Sequence, residues 1–217
     1  TSGTNNVALG SYGLSANTIG TNNTAVGHET LKLNTTGCQN VAVGSSALNG
    51  NTTGRFNTAI GGKALQLSSG GQSNTAIGYN ALYDTTTGSY NTAVGDTSLT
   101  NVTTGGMNTA LGWQSAVYTT TGNNNVAVGV YGLHQNSGGS QNTAVGYRSL
   151  CKNTTGISNT AIGHQAGCNI TTGTNNVVLG NSAYASAATV SNEITIGSTT
   201  QTVFRLPGVQ AAASSGH

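Results

Sequence analysis

Hydrophobic and polar positions along this chain recur every 17 residues rather than at the period of a strand or a helix. The stretch Asn74-Thr75-Ala76-Ile77-Gly78 typifies the unit. Copies open at Asn6, Asn23, Asn40, Asn57, Asn74, Asn91, Asn108, Asn125, Asn142, Asn159 and Asn176, and Glu193 opens an altered twelfth. The interval never slips. A fixed period repeated this often marks a solenoid, in which each repeat is one stacked unit.

With the Asn taken as position 0, position +2 is Ala from Ala8 to Ala161, and +3 is always a branched aliphatic residue, from Leu9 to Ile196. Position +1 is Thr or Val until Ile194. Alternation along a strand puts +1 and +3 on one face and +2 on the other, so these residues predict a short strand. A second short strand is predicted around +8, where Leu14, Leu31, Leu48, Leu65, Leu82, Leu99, Leu133 and Leu150 recur. The connecting turn reads like Asn34-Thr35-Thr36-Gly37, and its Gly is expected to supply a positive φ. Parallel pairing at about 4.8 Å stacks the coils into a body on the order of 58 Å long, with the Asn column placed to form an amide ladder.

The fold class predicted is therefore all-β, a parallel β-solenoid of about twelve 17-residue coils over residues 1–197. Val190 replaces the turn Gly, and residues 181–192 are rich in Ala and Ser, which marks the end of regular coiling. Residues 198–217 read as a neck, tip or tail. The chain opens inside a repeat, so a longer parent protein is expected. Each coil offers only two or three sizeable apolar side chains, a thin core for one chain. The unvarying Ala column then predicts a flat face for association through Ala25, Ala42, Ala59, Ala76, Ala93 and Ala110.

Composition narrows the function more by exclusion than by signature. Charged residues make up 5% of the chain and the net charge is +2, which gives no electrostatic case for nucleic acid or an anionic membrane. No apolar run approaches the roughly 20 residues of a membrane span, so no membrane insertion is expected. Acidic side chains are limited to Glu29, Asp84, Asp96 and Glu193, scattered over different coils. That argues against a paired-carboxylate glycosidase and against a calcium-binding solenoid, so no enzyme activity, metal or cofactor is expected. Cys151 and Cys168 both occupy +9 in consecutive coils, within disulfide reach; a free-thiol stack is favoured and a disulfide stays open. His28, His134 and His164 read as isolated surface residues. The variable positions +5, +6, +9 and +10 carry aromatics, and Tyr79, Trp113, Tyr147, Tyr83, Tyr118 and Tyr131 are the candidate receptor contacts. The competing reading makes them packing residues beside the ladders. Tyr79, Trp113 and Tyr147 share +5 in every second coil and predict a row spaced by about 9.6 Å.

The Asn-Thr-Ala-Val-Gly and Asn-Val-Ala-Val-Gly copies resemble the head repeats of trimeric autotransporter adhesins. They are still more similar to repeats of bacteriophage tail fibres and related trimeric surface fibres, in which Asn-Thr-Ala-Ile-Gly-Tyr-x-Ala-Leu alternates with Asn-Thr-Thr-Gly; Asn74–Leu82 and Asn142–Leu150 carry the likeness. The resemblance covers residues 3 to about 197. It implies a left-handed β-roll, a homotrimer, display outside the cell on a virion or cell surface, and attachment to a glycan or protein receptor of a host or prey cell. The segment from Glu193 to Phe204 is similar to the one that precedes a self-cleaving endosialidase-type chaperone, which is expected to have been cleaved off or to lie beyond this sequence. Three alternatives stand beside this reading. One is an ice-binding solenoid, favoured by the Thr-Thr columns and opposed by their place in turns. Another is a structural spacer with its receptor site elsewhere. The last, a carbohydrate-degrading enzyme on a solenoid, lacks acidic pairs.

Overall fold

Each strand lasts only three residues. β1 (Val7–Leu9) and β2 (Thr24–Val26) begin a series that advances in 17-residue steps to β11 (Val177–Leu179) and β12 (Ile194–Ile196). Twelve strands form one sheet in strict chain order, every neighbour parallel. Pairing is in register with the repeat, so Thr75 lies beside Thr92, Ala76 beside Ala93 and Ile77 beside Val94. The chain is a parallel β-solenoid. The computed structural model describes residues 2–200, and the predicted tail beyond Thr200 lies outside the described residues. Among the described residues no helix is long and apolar enough to cross a membrane.

The Gly at +4 ends each strand for two reasons. Gly78 has φ 134°, a conformation that L side chains rarely adopt. A Cβ there would also lie 2.5 Å from the carbonyl oxygen of Gly95 in the next coil. The turn Gly behaves differently from expectation. Gly37 shows no positive φ; it is required because a Cβ would meet the Gly54 carbonyl oxygen at 2.5 Å. Close stacking, not turn conformation, selects it.

The predicted strand at +8 does not form. Leu82 has φ 53°, and the residues at −1 and +6 of the same coil, Ser73 and Asn80, have φ 55° and 54°. Three left-handed residues per coil fold the chain back sharply. Coils still bond across this side, as Leu31 N–H donates to the Ala47 carbonyl oxygen at 3.0 Å, without strand geometry. β-Branched side chains are penalised in this region. Among the described residues Thr97 is the one such residue at a left-handed position, and Val and Ile do not occur there.

The two faces of the strand are also reversed from the expected arrangement. Ala25, Ala42, Ala59, Ala76, Ala93 and Ala110 are fully buried inside their own chain, packed with the equally buried Leu31, Leu48, Leu65, Leu82 and Leu99. They are core, with no surface left for a neighbouring chain. A small residue suits +2 because the larger Leu at +8 is fully buried in the same core. Positions +1 and +3 point outward instead: Leu9 is 67% exposed, Ile162 46% and Val41 40%.

The Asn ladder forms as expected. Asn40 donates its backbone N–H and its side-chain amide to Asn23 Oδ1, at 3.0 and 3.1 Å, and the same amide reaches the Gly54 carbonyl oxygen at 2.9 Å. The pattern repeats through Asn176. Glu193 closes the column. Its N–H donates to Asn176 Oδ1 at 3.0 Å, and its carboxylate accepts from the Ser186 N–H, the Ser186 hydroxyl and the Thr195 hydroxyl.

Candidate binding surface

The turn after each strand carries positions +5, +6 and +10 at the surface, with +9 half-buried in most coils and buried at Cys151, Cys168 and Ala185. Because the register is fixed, these positions stack into columns, and a side chain at one height meets the columns of the next coil. From Trp113 to His164 the columns bring rings together. Tyr131 is central: its centroid lies 5.0 Å from Trp113, 5.0 Å from His134 and 6.3 Å from Tyr147, each pair edge to face. Tyr118 meets His134 edge to face at 5.2 Å. His164 stacks on Tyr147 at 5.2 Å, with an interplanar angle of 18°. Aromatic pairs at such distances favour edge or offset geometry and hold one another in place. His134 Nδ1 lies 3.2 Å from the Gln114 carbonyl oxygen, a bond that requires the proton on Nδ1.

Four of the six candidate contacts, Trp113, Tyr118, Tyr131 and Tyr147, therefore belong to one cluster. Tyr79 and Tyr83 join none of these ring pairs; Tyr79 lies instead beside Gly62 of the preceding coil, where a Cβ would meet its ring at 3.4 Å. Of the expected row of Tyr79, Trp113 and Tyr147, the last two are bridged by Tyr131 at +6 of the coil between them, and Tyr79 stands apart. His134 and His164 are members of the cluster rather than isolated. Column arithmetic carried that signal: +6 and +9 lie close in space, so Tyr131 and His134 were bound to meet.

A cleft of about 380 Å³ opens beside the patch, lined by Tyr131, His134, Gln135, Tyr147, Arg148, Cys151 and Lys152. Cys151 is buried and joined to Cys168 in a disulfide, with Cα atoms 5.0 Å apart. The predicted adjacency is found, and the pair is oxidised; Cys38 is free. A second cleft of about 290 Å³ adjoins the first across Lys152 and is lined by Lys152, Cys168, Asn169 and Tyr184.

Charge is distributed unequally along the same columns. Near the start of the chain Lys32 pairs with Glu29 at 2.7 Å and lies over the Tyr12 ring, 5.6 Å from its centroid. The hydrogen bond from Lys32 holds the Glu29 carboxyl below the usual carboxylate range. Among the described residues that is the ion pair present, so Arg148 and Lys152 have no carboxylate within salt-bridge distance. No three His, Cys, Asp or Glu side chains among the described residues are grouped to hold a metal. Compared with known proteins, the chain matches no family model, no curated protein and no solved structure.

Proposed function

We propose that this chain is a structural and adhesive segment of a surface or tail fibre, built from three copies and attaching to a cell-surface glycan or protein. The observation that carries the assembly is the outward strand face. Twelve strands present the +3 aliphatics side by side, joined at +1 by Val7, Val41, Val126, Val177 and Ile194, and an ordered apolar surface of this kind belongs to an interaction site. Association through Ile77, Val94, Leu111 and their equivalents replaces the Ala column as the contact. A left-handed winding goes with this reading. The disulfide is in keeping with an oxidising setting outside the cytoplasm. The reading assigns the chain no catalytic step.

Sedimentation tests the assembly: the expected species is a trimer, and a stable 21.5 kDa monomer overturns it. Adhesion is tested separately. Trp113→Ala with Tyr147→Ala should weaken cell binding while leaving assembly mass and Tm nearly unchanged. Intact adhesion in that double variant makes the segment a spacer. An ice-binding solenoid is favoured by one observation, the outward Thr at +1 beside the aliphatic at +3 in seven of the twelve strands, as in Thr75 and Ile77. The Thr-Thr turns do not add to it, because Thr35 and Thr86 spend their hydroxyls on carbonyls of the next coil at 3.0 Å. A monomer with thermal hysteresis would select this alternative.

A further inference from the structure

We propose that the paired clefts around Lys152 bind an acidic oligosaccharide, at least two sugar rings with a ring carboxylate, laid along the solenoid axis. This deepens the adhesive reading and rests on it. Three features of the site point to this ligand. The first is shape. Two clefts adjoin across Lys152, each with an aromatic wall, Tyr131 and Tyr147 in one and Tyr184 in the other. The first, at about 380 Å³, sits at the low end of small-molecule sites, and the pair together is extended rather than deep.

The second feature is the state of the rings. His164 stacks on Tyr147 and Tyr131 meets it edge to face, while Tyr147 keeps 41% of its surface exposed to a partner. Tyr131 is held edge-on by three neighbours, and the Tyr184 hydroxyl donates to Gln165 Oε1 at 3.0 Å. Rings fixed in advance lose little freedom on binding, and the C–H faces of a pyranose suit them.

The third feature is charge. Arg148 and Lys152 both line the first cleft, yet neither has a carboxylate partner, in a chain with few charges of any kind. The nearest acid on these columns, Asp96, stands three coils from Arg148, about 14 Å along the stack. Lys32, on the same surface, shows the contrast, since Glu29 neutralises it. A guanidinium fork with an ammonium beside it matches a carboxylate better than a neutral hydroxyl does. The aromatic walls require that the carboxylate be carried on a ring. Gln135 adds an exposed amide able to serve a sugar hydroxyl on either side of a hydrogen bond.

Titration calorimetry on the assembled protein tests this with four probes: tri-galacturonate, its fully methyl-esterified form, an oligomer of N-acetylneuraminate, and polyacrylate. At least one of the two acidic oligosaccharides should bind, and added salt should weaken that binding. Esterification should weaken tri-galacturonate on the order of tenfold, the worth of one charge-assisted hydrogen bond. Arg148→Gln and Lys152→Gln should lower affinity for the acid and leave the ester unaffected, whereas Tyr147→Ala should lower both, with unchanged Tm in each variant. Polyacrylate, charged but ringless, should bind weakly and without dependence on Tyr147. Failure of both acidic oligosaccharides to bind overturns the proposal, as does equal affinity for the ester or for polyacrylate. Cell adhesion that survives such a failure leaves the adhesive reading standing with a different receptor. Adhesion lost in Tyr147→Ala but kept in Arg148→Gln with Lys152→Gln assigns attachment to the rings alone and rejects the acidic ligand.

Discussion

Two columns of Asn run through the interior of this solenoid, and only one of them is continuous. The motif column passes from Asn6 to Asn176 without a gap. The turn column begins Asn17, Asn34, Asn51, then becomes Ser68, Thr85, Val102 and Thr119, returns as Asn136 and Asn153, and ends at Ile170. Both columns donate amide hydrogens one coil back: Asn40 to Asn23 at 3.1 Å, Asn51 to Asn34 at 2.8 Å. The difference lies in what depends on them. Asn23 Oδ1 also accepts the backbone N–H of Asn40, so loss of the amide leaves a buried peptide donor without a partner. Among the described residues no backbone N–H relies on the turn column. The Gly54 carbonyl oxygen, which Asn51 bonds at 3.2 Å, is already bonded by Asn40 at 2.9 Å. A buried polar group may be exchanged when its partner is served twice, and is fixed when it is the sole partner of the main chain.

Breaking the continuous column should have the largest effect. Asn91→Ala removes the acceptor of the Asn108 N–H and the donor to the Gly105 carbonyl oxygen, and should lower stability by about 2–4 kcal/mol in urea unfolding. Asn34→Ala, in the turn column, should cost about half as much or less, since the Gly37 carbonyl oxygen keeps its bond from Asn23. Equal losses would end the distinction. Gly105→Ala crowds the turn itself: its Cβ would stand 2.5 Å from the Gly122 carbonyl oxygen, and about 1–3 kcal/mol of overpacking is expected as a lower Tm. Ala93→Leu should act with similar size on folding itself, because Ala93 is core and not an interface.

Repair of the interrupted column should be smaller and of opposite sign. Asn51 Oδ1, Ser68 Oγ and Thr85 Oγ1 are buried without partners where the Asn run stops. Ser68→Asn places a donor against Asn51 Oδ1 and an acceptor near Thr85, and should raise stability by about 0.5–1.5 kcal/mol. The smallest effect expected concerns pH at the end of the motif column. Hydrogen bonds from the Ser186 hydroxyl, the Thr195 hydroxyl and the Ser186 N–H hold the Glu193 carboxyl below the usual carboxylate range. A folded pKa lower than the unfolded one contributes stability above the unfolded value, lost as pH falls through the folded one. Amide exchange around Glu193 and Thr195 should therefore quicken in acid before the central coils respond. Uniform behaviour along the chain would argue against a local lock at Glu193.

The period, the register and the Asn ladder were legible because a 17-residue step turns one sequence into its own alignment. The direction of the faces was not. Alternation says that Ala76 and Ile77 point oppositely, but not which of them points in, and hydrophobicity favours the wrong answer. What decides it is Leu82, which has a left-handed backbone and is fully buried in the same core cluster as Ala76 and Ala93. A clue was present: positions −1, +6 and +8 accept Leu, Tyr, Lys and Phe yet exclude Val and Ile, a pattern that fits φ near 55° and not a strand. At the candidate site, Trp113, Tyr118, Tyr131 and Tyr147 were recognisable as exposed aromatics. Arg148 and Lys152 were recognisable at the same variable positions, whereas His134 and His164 each look solitary until neighbouring columns are folded side by side.

The invariable interval has a consequence for inheritance. Each coil touches only the coils before and after it, so the structure is specified locally and contains no statement of its own length. Unequal exchange between two copies of the coding repeat would add or delete whole coils, and the motif column would close seamlessly wherever the junction fell. The same event would shift the gap between Asn51 and Asn136 and could separate the aromatic columns from the cations beside them. Reach is thus a trait that recombination can change in one step, while the recognition proposed for the aromatic clefts is tied to a single stretch of coils and would be lost or duplicated with it.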